Sequence, residues 1–253
     1  MRLRQFVFVA EKLGPAVEEI SAVLGLDVCY KDPGVAEFGL ENALLAIGGN
    51  FLEVVAPTKD GTAAGRHLAR RGGNGGYMVM VHCDDGLAQR TRISALGIRD
   101  VWRHDGPVAY ATHFHPADVG GAILSVDSMA GTVVHDETAN WEWAGTDWRE
   151  HINTNVTSAL VGLEFQSDDP AGMAEIWRKV LDRPVQEQGH APRLTLDNAS
   201  LKFVKDRDGR GPGVGGLVLR PQNRPAILAE AERRGLVTGD NQFTLCGVRV
   251  SLI

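Results

Sequence analysis

No stretch of roughly eighteen apolar residues occurs, which is the length a helix needs to cross a bilayer. The first ten residues alternate like a strand and do not build a basic segment, an apolar block and a cleavage site. Neither membrane anchorage nor export is therefore expected, and the chain reads as cytoplasmic. Cysteine is scarce: Cys29, Cys83 and Cys246 lie far apart, are odd in number and show no C-x-x-C spacing. That pattern excludes a disulfide framework and a thiolate zinc site, leaving reduced core thiols. A basic stripe is missing too. With 26 Lys and Arg against 32 Asp and Glu, the net charge is -6, and scattered cations cannot track a phosphate backbone, so nucleic acid is not an expected partner.

What remains is an ordinary globular composition, 43% hydrophobic and 23% charged over 253 residues, sufficient for two modest cores or one large one. Four helix signals stand out, each preceded by a short apolar strand. Leu3 to Val9 alternates and is followed by Pro15, then Val17, Ile20, Val23 and Leu24 on one face, with Gly25 as the stop. Tyr77 to His82 leads into the caps Asp84 and Asp85 and a helix through Leu87 and Ile93. Leu163 to Gln166 precedes Asp169, Pro170 and an apolar stripe of Met173, Ile176, Trp177, Val180 and Leu181. Val214 to Leu219 precedes Pro225, Ile227, Leu228 and Ala231.

Each helix is followed by a strand and hairpin-like segments, such as Ala43 to Ile47 and Phe51 to Val55 around Gly48-Gly49-Asn50. The order is β-α-β-β-β four times, starting near residues 3, 76, 160 and 214, an α+β arrangement built by duplication. Residues 1–132 are expected to form one domain, 133–156 a linker and 157–253 a second, degenerate domain. The linker carries Trp141, Trp143 and Trp148, too apolar for a free tether. It reads as packing between domains or as a lid over a cleft. Asp206 to Gly213 reads as a mobile polar loop without the helices and terminal Glu of a calcium site.

Paired β-α-β-β-β modules resemble the vicinal oxygen chelate superfamily, which includes glyoxalase I, methylmalonyl-CoA epimerase, extradiol dioxygenases and the bleomycin and fosfomycin resistance proteins. The stretch from His115-Pro116 through Asp118, Gly120-Gly121 and Ile123 to Val126 is similar to the HPKDxGGxLxEL segment of methylmalonyl-CoA epimerases, and Phe51 to Pro57 resembles their fourth strand. The resemblance implies two glyoxalase-like domains with cupped mixed sheets, a small organic ligand and sheet edges that can pair in a homodimer.

It also implies ligand positions at Gln5, Glu53, Met78 or Tyr77, and Ser125, one per strand. Only Glu53 is a strong donor, because Met78 is too soft for a hard cation and Ser125 is seldom a ligand. No cofactor is therefore expected, and a divalent metal would have Gln5 and Glu53 as its candidates. Strand alternation places Val7, Phe51, Val55, Met80, His82, Ile123 and Asp127 on the face of Gln5 and Glu53. A desolvated Glu53 is a candidate base for a proton next to a carbonyl, with His82 as its acid partner. Gln5, Phe51, Met78, Met80, Ser125 and His115 are the candidate substrate contacts. His113 and His115, two apart on a strand, are also a possible metal pair. The second domain offers Gly162, Lys202, Gly216 and Arg249 at the equivalent positions, with Glu164 one strand position off the cleft face.

Three readings follow from the resemblance. The first is a lyase or isomerase acting next to a carbonyl. The second is a metal-free binding protein of drug-sequestering type. An extradiol dioxygenase ranks third, since it needs two His beside the Glu.

Overall fold

The computed structural model describes residues 1–188 and 191–253. Its first sheet is built from β1 (Arg2–Val9), β2 (Val28–Tyr30), β3 (Leu40–Ile47), β4 (Asn50–Pro57), β5 (Gly75–His82), β6 (Asp100–Asp105), β7 (Ala109–Phe114) and β8 (Ile123–Met129), in the order β2-β3-β4-β1-β5-β8-β7-β6. The pairs β1/β4 and β5/β8 are parallel, whereas β1/β5, which joins the two modules, is antiparallel. Helices α1 (Leu13–Leu24), α2 (Ala63–Arg71), α3 (Gly86–Ser94) and the single turn α4 (Pro116–Val119) belong to the same half.

The second half repeats the plan with α5 (Pro170–Leu181) and α6 (Arg224–Arg233). Its strands are β9 (Thr157–Ser167), β10 (Val185–Gln188), β11 (Ala191–Thr195), β12 (Ser200–Lys205), β13 (Gly213–Pro221), β14 (Val237–Gly239), β15 (Gln242–Leu245) and β16 (Val248–Leu252). Their order is β10-β11-β12-β9-β13-β16-β15-β14. The expected α+β architecture of four modules paired into two cupped mixed sheets is present. No helix among the described residues is long and apolar enough to cross a membrane.

Local chemistry explains the helices. Gly25 closes α1 in the left-handed conformation at φ 64°, returning its N–H to the Ser21 carbonyl. The Asp169 carboxylate accepts from the Gly172 N–H at the start of α5, with Pro170 in the first turn. Helix α5 buries Met173, Trp177, Val180 and Leu181, while Ile176 sits at the edge of the stripe, 38% exposed. Helix α2 lies outside the four expected ones: Ala63 to Arg71 carries Arg66, His67, Arg70 and Arg71 and only one large apolar residue, yet Thr62 caps it and Ala64, His67, Leu68 and Arg71 are buried.

One hydrophobic core runs through the molecule between the sheets. It joins the helix-facing side of the first, including Phe6, Phe8, Val54 and Val79, to that of the second, including Phe165, Phe203 and Trp177. The Trp177 indole crosses from one half to the other and donates to the Val119 carbonyl at 2.6 Å. The two cups consequently open away from each other.

The Asp206–Gly213 loop, expected to be free and mobile, is instead a clasp between the halves. The Arg210 guanidinium donates to the carbonyls of Arg71, Gly73 and Asn74, and Arg71 donates in return to those of Arg210, Gly211 and Pro212. Gly121 sits under this clasp at φ 100°, where an added Cβ would lie 2.2 Å from the Pro212 carbonyl oxygen. Gly97 also has a positive φ, 82°, but with open space around it. Gly97→Ala should therefore cost only the left-handed strain of about 1 kcal/mol. Gly121→Ala should cost roughly 2–5 kcal/mol, because overpacking adds to the strain. Urea unfolding of the two variants measures the difference, and equal losses would contradict the proposed close approach.

Candidate active site

Two irregularities shape the first cup. The β1/β5 register shifts between Leu3 and Gln5 and again between Val7 and Phe8. An extra residue breaks the alternation of faces, so Arg4 joins Gln5 on the cup side, and Tyr77 joins Met78. Arg4 is fully buried. It lies 5.4–5.6 Å from the ring centres of Phe51, Trp141 and Trp148, and donates to the carbonyls of Gly49, Glu137 and Ala139. Burial, with Arg2 and Arg149 nearby, pulls its pKa down to about 9.

The Trp-rich segment thus plugs one end of the first cup with Trp141 and Trp148, both fully buried, rather than simply joining two domains. Beside the plug lies a cavity of about 570 Å³, bordered by Gln5, Val7, Glu53, Val55, Tyr77, Met78, Met80 and Ile123 from the sheet. Tyr30 borders it from the end of β2, Val35 and Phe38 from the β2–β3 connection, and Ala63 and Ala64 from α2. Its aromatic wall comprises Trp102 and His104 on β6, His113 on β7, and Trp143 from the plug. Trp102 packs against His113 at 4.4 Å between ring centres and is edge-on to Trp143 at 6.4 Å, while His104 meets Trp143 at 5.3 Å.

Glu53 sits on the cavity floor, 7% exposed. One carboxyl oxygen accepts from Gln5 Nε2 at 2.7 Å and the other from Asn42 Nδ2 at 2.6 Å. Both amides are themselves oriented: Gln5 Oε1 accepts from the Trp141 indole at 2.7 Å, and Asn42 Oδ1 from the Asp32 N–H at 2.8 Å. Burial pushes the Glu53 pKa from an ordinary 4.5 up to about 7, against the opposing pull of the two amide donors. A second buried carboxyl, Asp127, accepts from the Trp143 indole at 2.8 Å and from the Ser125 hydroxyl, and burial raises its pKa to about 7.

Other expected site residues fall differently. Met78 and Met80 border the cavity, as Gln5 and Glu53 do; Phe51, Ser125 and His115 do not. Phe51 lies edge-on beneath Trp148 at 4.9 Å, and Ser125 spends its hydroxyl on Asp127. His115 is beyond the end of β7, where its Nδ1 accepts from the Ala117 N–H to cap α4. It therefore does not share a strand face with His113. His82 is on the cup side but fully buried against Trp141, away from the cavity border, with Nδ1 unpaired and Nε2 3.3 Å from the Thr132 hydroxyl. Burial and the charges of Arg4 and Arg2 lower its pKa to about 4, which leaves it neutral. Sequence reasoning missed Asn42 and Trp102 as site residues, for which alternation along β3 and β6 was the available signal; Trp143 was a candidate for stacking a flat ligand and His104 only a possible third partner of the His113–His115 pair.

The donor set does not fit a divalent cation. Gln5 turns its amide nitrogen, not its oxygen, toward Glu53, and thioethers occupy the third strand. Among the described residues no three His, Cys, Asp or Glu converge as metal ligands. The second cup is closed by charge. Glu164, which lies on the cup face itself, pairs with Lys202 at 3.4 Å, Arg249 at 3.0 Å and Arg207 at 3.7 Å, and the space left is about 20 Å³.

The family model described as a glyoxalase-like domain matches residues 6–181. The chain belongs to that family. Its fold is shared with a mutant 4-hydroxymandelate synthase from Streptomyces coelicolor, 14% identical over 94% of this chain and 76% of that one, with a TM-score of 0.68. A hypothetical protein from Staphylococcus aureus is 11% identical over 99% of this chain and 98% of its own, with a TM-score of 0.66. A methylmalonyl-CoA epimerase variant from Streptomyces coelicolor, solved with 2-nitronate-propionyl-CoA, is 24% identical over 52% of this chain and 99% of that one, with a TM-score of 0.47. At these identities the likeness concerns the fold alone. No curated protein matches the chain. Membership in a glyoxalase-like family, expected from the paired modules and the His115–Val126 segment, is thereby established.

The Glu53 pKa carries a stability consequence. Because the folded value of about 7 exceeds the ordinary 4.5, the contribution of the neutral acid is full below pH 4.5 and lost as pH rises through 7. The loss is bounded at about 3 kcal/mol. The melting temperature should fall between pH 5 and 8, and fall less in Glu53→Gln; parallel pH profiles for the two proteins would contradict the shift.

Proposed function

We propose that the first cup houses a metal-independent small-molecule enzyme of lyase or isomerase type, in which Glu53 takes a proton from a carbon next to a carbonyl. The observation that carries this reading is a carboxyl on the floor of a 570 Å³ cavity, bonded by two amide donors and, among the described residues, by no Lys or Arg. A pKa of about 7 leaves the base form accessible near neutral pH while keeping its affinity for a proton high. Each oxygen accepts one amide bond, so acceptor capacity is left for a substrate proton. Gln5 and Asn42 fix the carboxyl plane, which is the positioning that proton transfer requires. Uptake of the proton removes a buried charge, so burial itself drives the step. The nearby His82 is held off the cavity by Trp141, and Glu53 therefore returns the proton it has taken.

A second reading, a metal-free binding protein of drug-sequestering type, is favoured by the aromatic wall of Trp102 and Trp143 with His113 between. Such a wall holds a flat molecule by stacking without transforming it. The three free thiols, Cys29, Cys83 and Cys246, support a reducing, cytoplasmic setting for either reading.

Incubation with 2-oxoaldehydes, 2-oxoacids and acyl thioesters in D2O, followed by proton NMR, separates the two. The enzyme reading predicts deuterium incorporation that rises with pH through about 7, persists in EDTA and slows at least about 100-fold in Glu53→Gln. Exchange unchanged in that variant would remove Glu53 from the mechanism. Ligand-induced quenching of tryptophan fluorescence with no exchange at all would favour the binding reading.

A further inference from the structure

The charge around the first cavity narrows the class of ligand. Among the described residues that border it there is no Lys or Arg, but there are four carboxyl groups: Asp32, Glu37, Glu53 and Glu142. Three of them belong to the rim, where Glu37 and Glu142 are exposed and Asp32 half-buried. Asp32 and Glu142 bear on Tyr30, whose hydroxyl is pushed up first by burial and then by these two charges. Glu37 accepts from the Trp102 indole at 3.0 Å, which places its charge at the edge of the aromatic wall. The surrounding cations stay off its border, Arg4 included, which is buried among Phe51, Trp141 and Trp148 under the plug. Arg66 and Arg70 act on Tyr77 without bordering the hollow, and Lys31 and Lys59 are exposed beyond it.

An anionic ligand would enter this negative field with no cationic partner. A phosphate-bearing thioester or an oxoacid is thus poorly served. A neutral flat ligand would use the rings and leave the rim charges idle. Aromatic faces are themselves negative, so rings and rim favour the same charge on the ligand.

We propose that the first cup takes a flat organic cation, a conjugated ring system bearing a quaternary or protonated nitrogen, stacked on Trp102 and Trp143 with its charge toward Glu37 and Glu142. This rests on the reading of the first cup as a ligand site, and it answers a need of the proton-transfer chemistry there. Removing a proton from carbon leaves an electron pair that the cavity has no cation to stabilise. A substrate with a C=N⁺ group in place of the carbonyl supplies its own sink. The C–H bond breaks and Glu53 takes the proton; the C–H pair becomes a C=C bond, the C=N⁺ pair moves onto nitrogen, and a neutral enamine results.

Isothermal titration of the full chain at pH 8 with 1-methylquinolinium, quinoline and 2-naphthoate tests the assignment, since the three probes share a bicyclic shape and differ in charge. The cation should bind at least tenfold more tightly than neutral quinoline, and naphthoate should give no measurable binding. In the Glu37→Gln/Glu142→Gln double variant the cation should lose at least tenfold in affinity while quinoline stays within twofold, which also reports an intact cavity. Trp143→Leu should weaken cation and quinoline alike. Equal affinities for cation and quinoline, or preferred binding of naphthoate, would overturn the charge assignment but leave the cup as a ligand site. Absence of binding by 1-methylquinolinium would overturn it outright, whereas the role of Glu53 stands or falls separately on deuterium exchange into the 2-methyl group of 1,2-dimethylquinolinium, which lies next to C=N⁺ and should slow at least about 100-fold in Glu53→Gln.

Discussion

A buried carboxyl group bonded by two amides and, among the described residues, by no Lys or Arg sets the character of the first cup. Glu53 could not stay ionised there without cost, and Gln5 and Asn42 recover only part of what desolvation takes. The amides are useful because their own orientations are settled elsewhere. Trp141 occupies the Gln5 oxygen and the Asp32 N–H occupies that of Asn42, so both present nitrogen to the carboxyl. The Trp-rich plug therefore acts on chemistry at the cup floor as well as on packing.

The two halves of the molecule show what one frame can become. Both sheets have the same strand order and both present a carboxylate on the cup face, Glu53 in one and Glu164 in the other. Around Glu164 stand Lys202, Arg207 and Arg249, and ion pairs fill the hollow. Around Glu53 stand amides, thioethers and rings, and the hollow stays open. A half that has closed its own cup still serves the other, because the Arg71–Arg210 clasp and the Trp177 indole bond hold the shared core together.

Much of the fold was legible in the sequence because its signals are local. Gly25, Asp169 and Pro170 mark helix ends by their own conformational chemistry, and alternation along β4 assigns Phe51, Glu53 and Val55 to one face. The failures came where a distant partner decides. Arg4 faces the cup because of a register shift against β5, which no property of β1 alone reveals. Helix α2 carries too many charges to announce itself by a wide apolar stripe and is secured by four buried side chains, Ala64, His67, Leu68 and Arg71, and a Thr62 cap. Loop 206–213 has the composition of a free turn, yet its arginine finds carbonyls more than 130 residues away. Glu53 was identifiable from its strand and from the family resemblance, whereas His82 shares its face but is shut off by Trp141, a residue from outside the module.

The central claim is that Glu53 is a desolvated, uncoordinated acid that titrates near neutrality. Its carboxyl carbon can be followed directly by ¹³C NMR of protein labelled at glutamate, with the Glu53→Gln spectrum identifying the resonance, across pH 4 to 9 and with or without added divalent metal. The account predicts one inflection near pH 7, unchanged by Mg²⁺ or Mn²⁺. An inflection at the ordinary value near 4.5, or a resonance that shifts or broadens when metal is added, would contradict it.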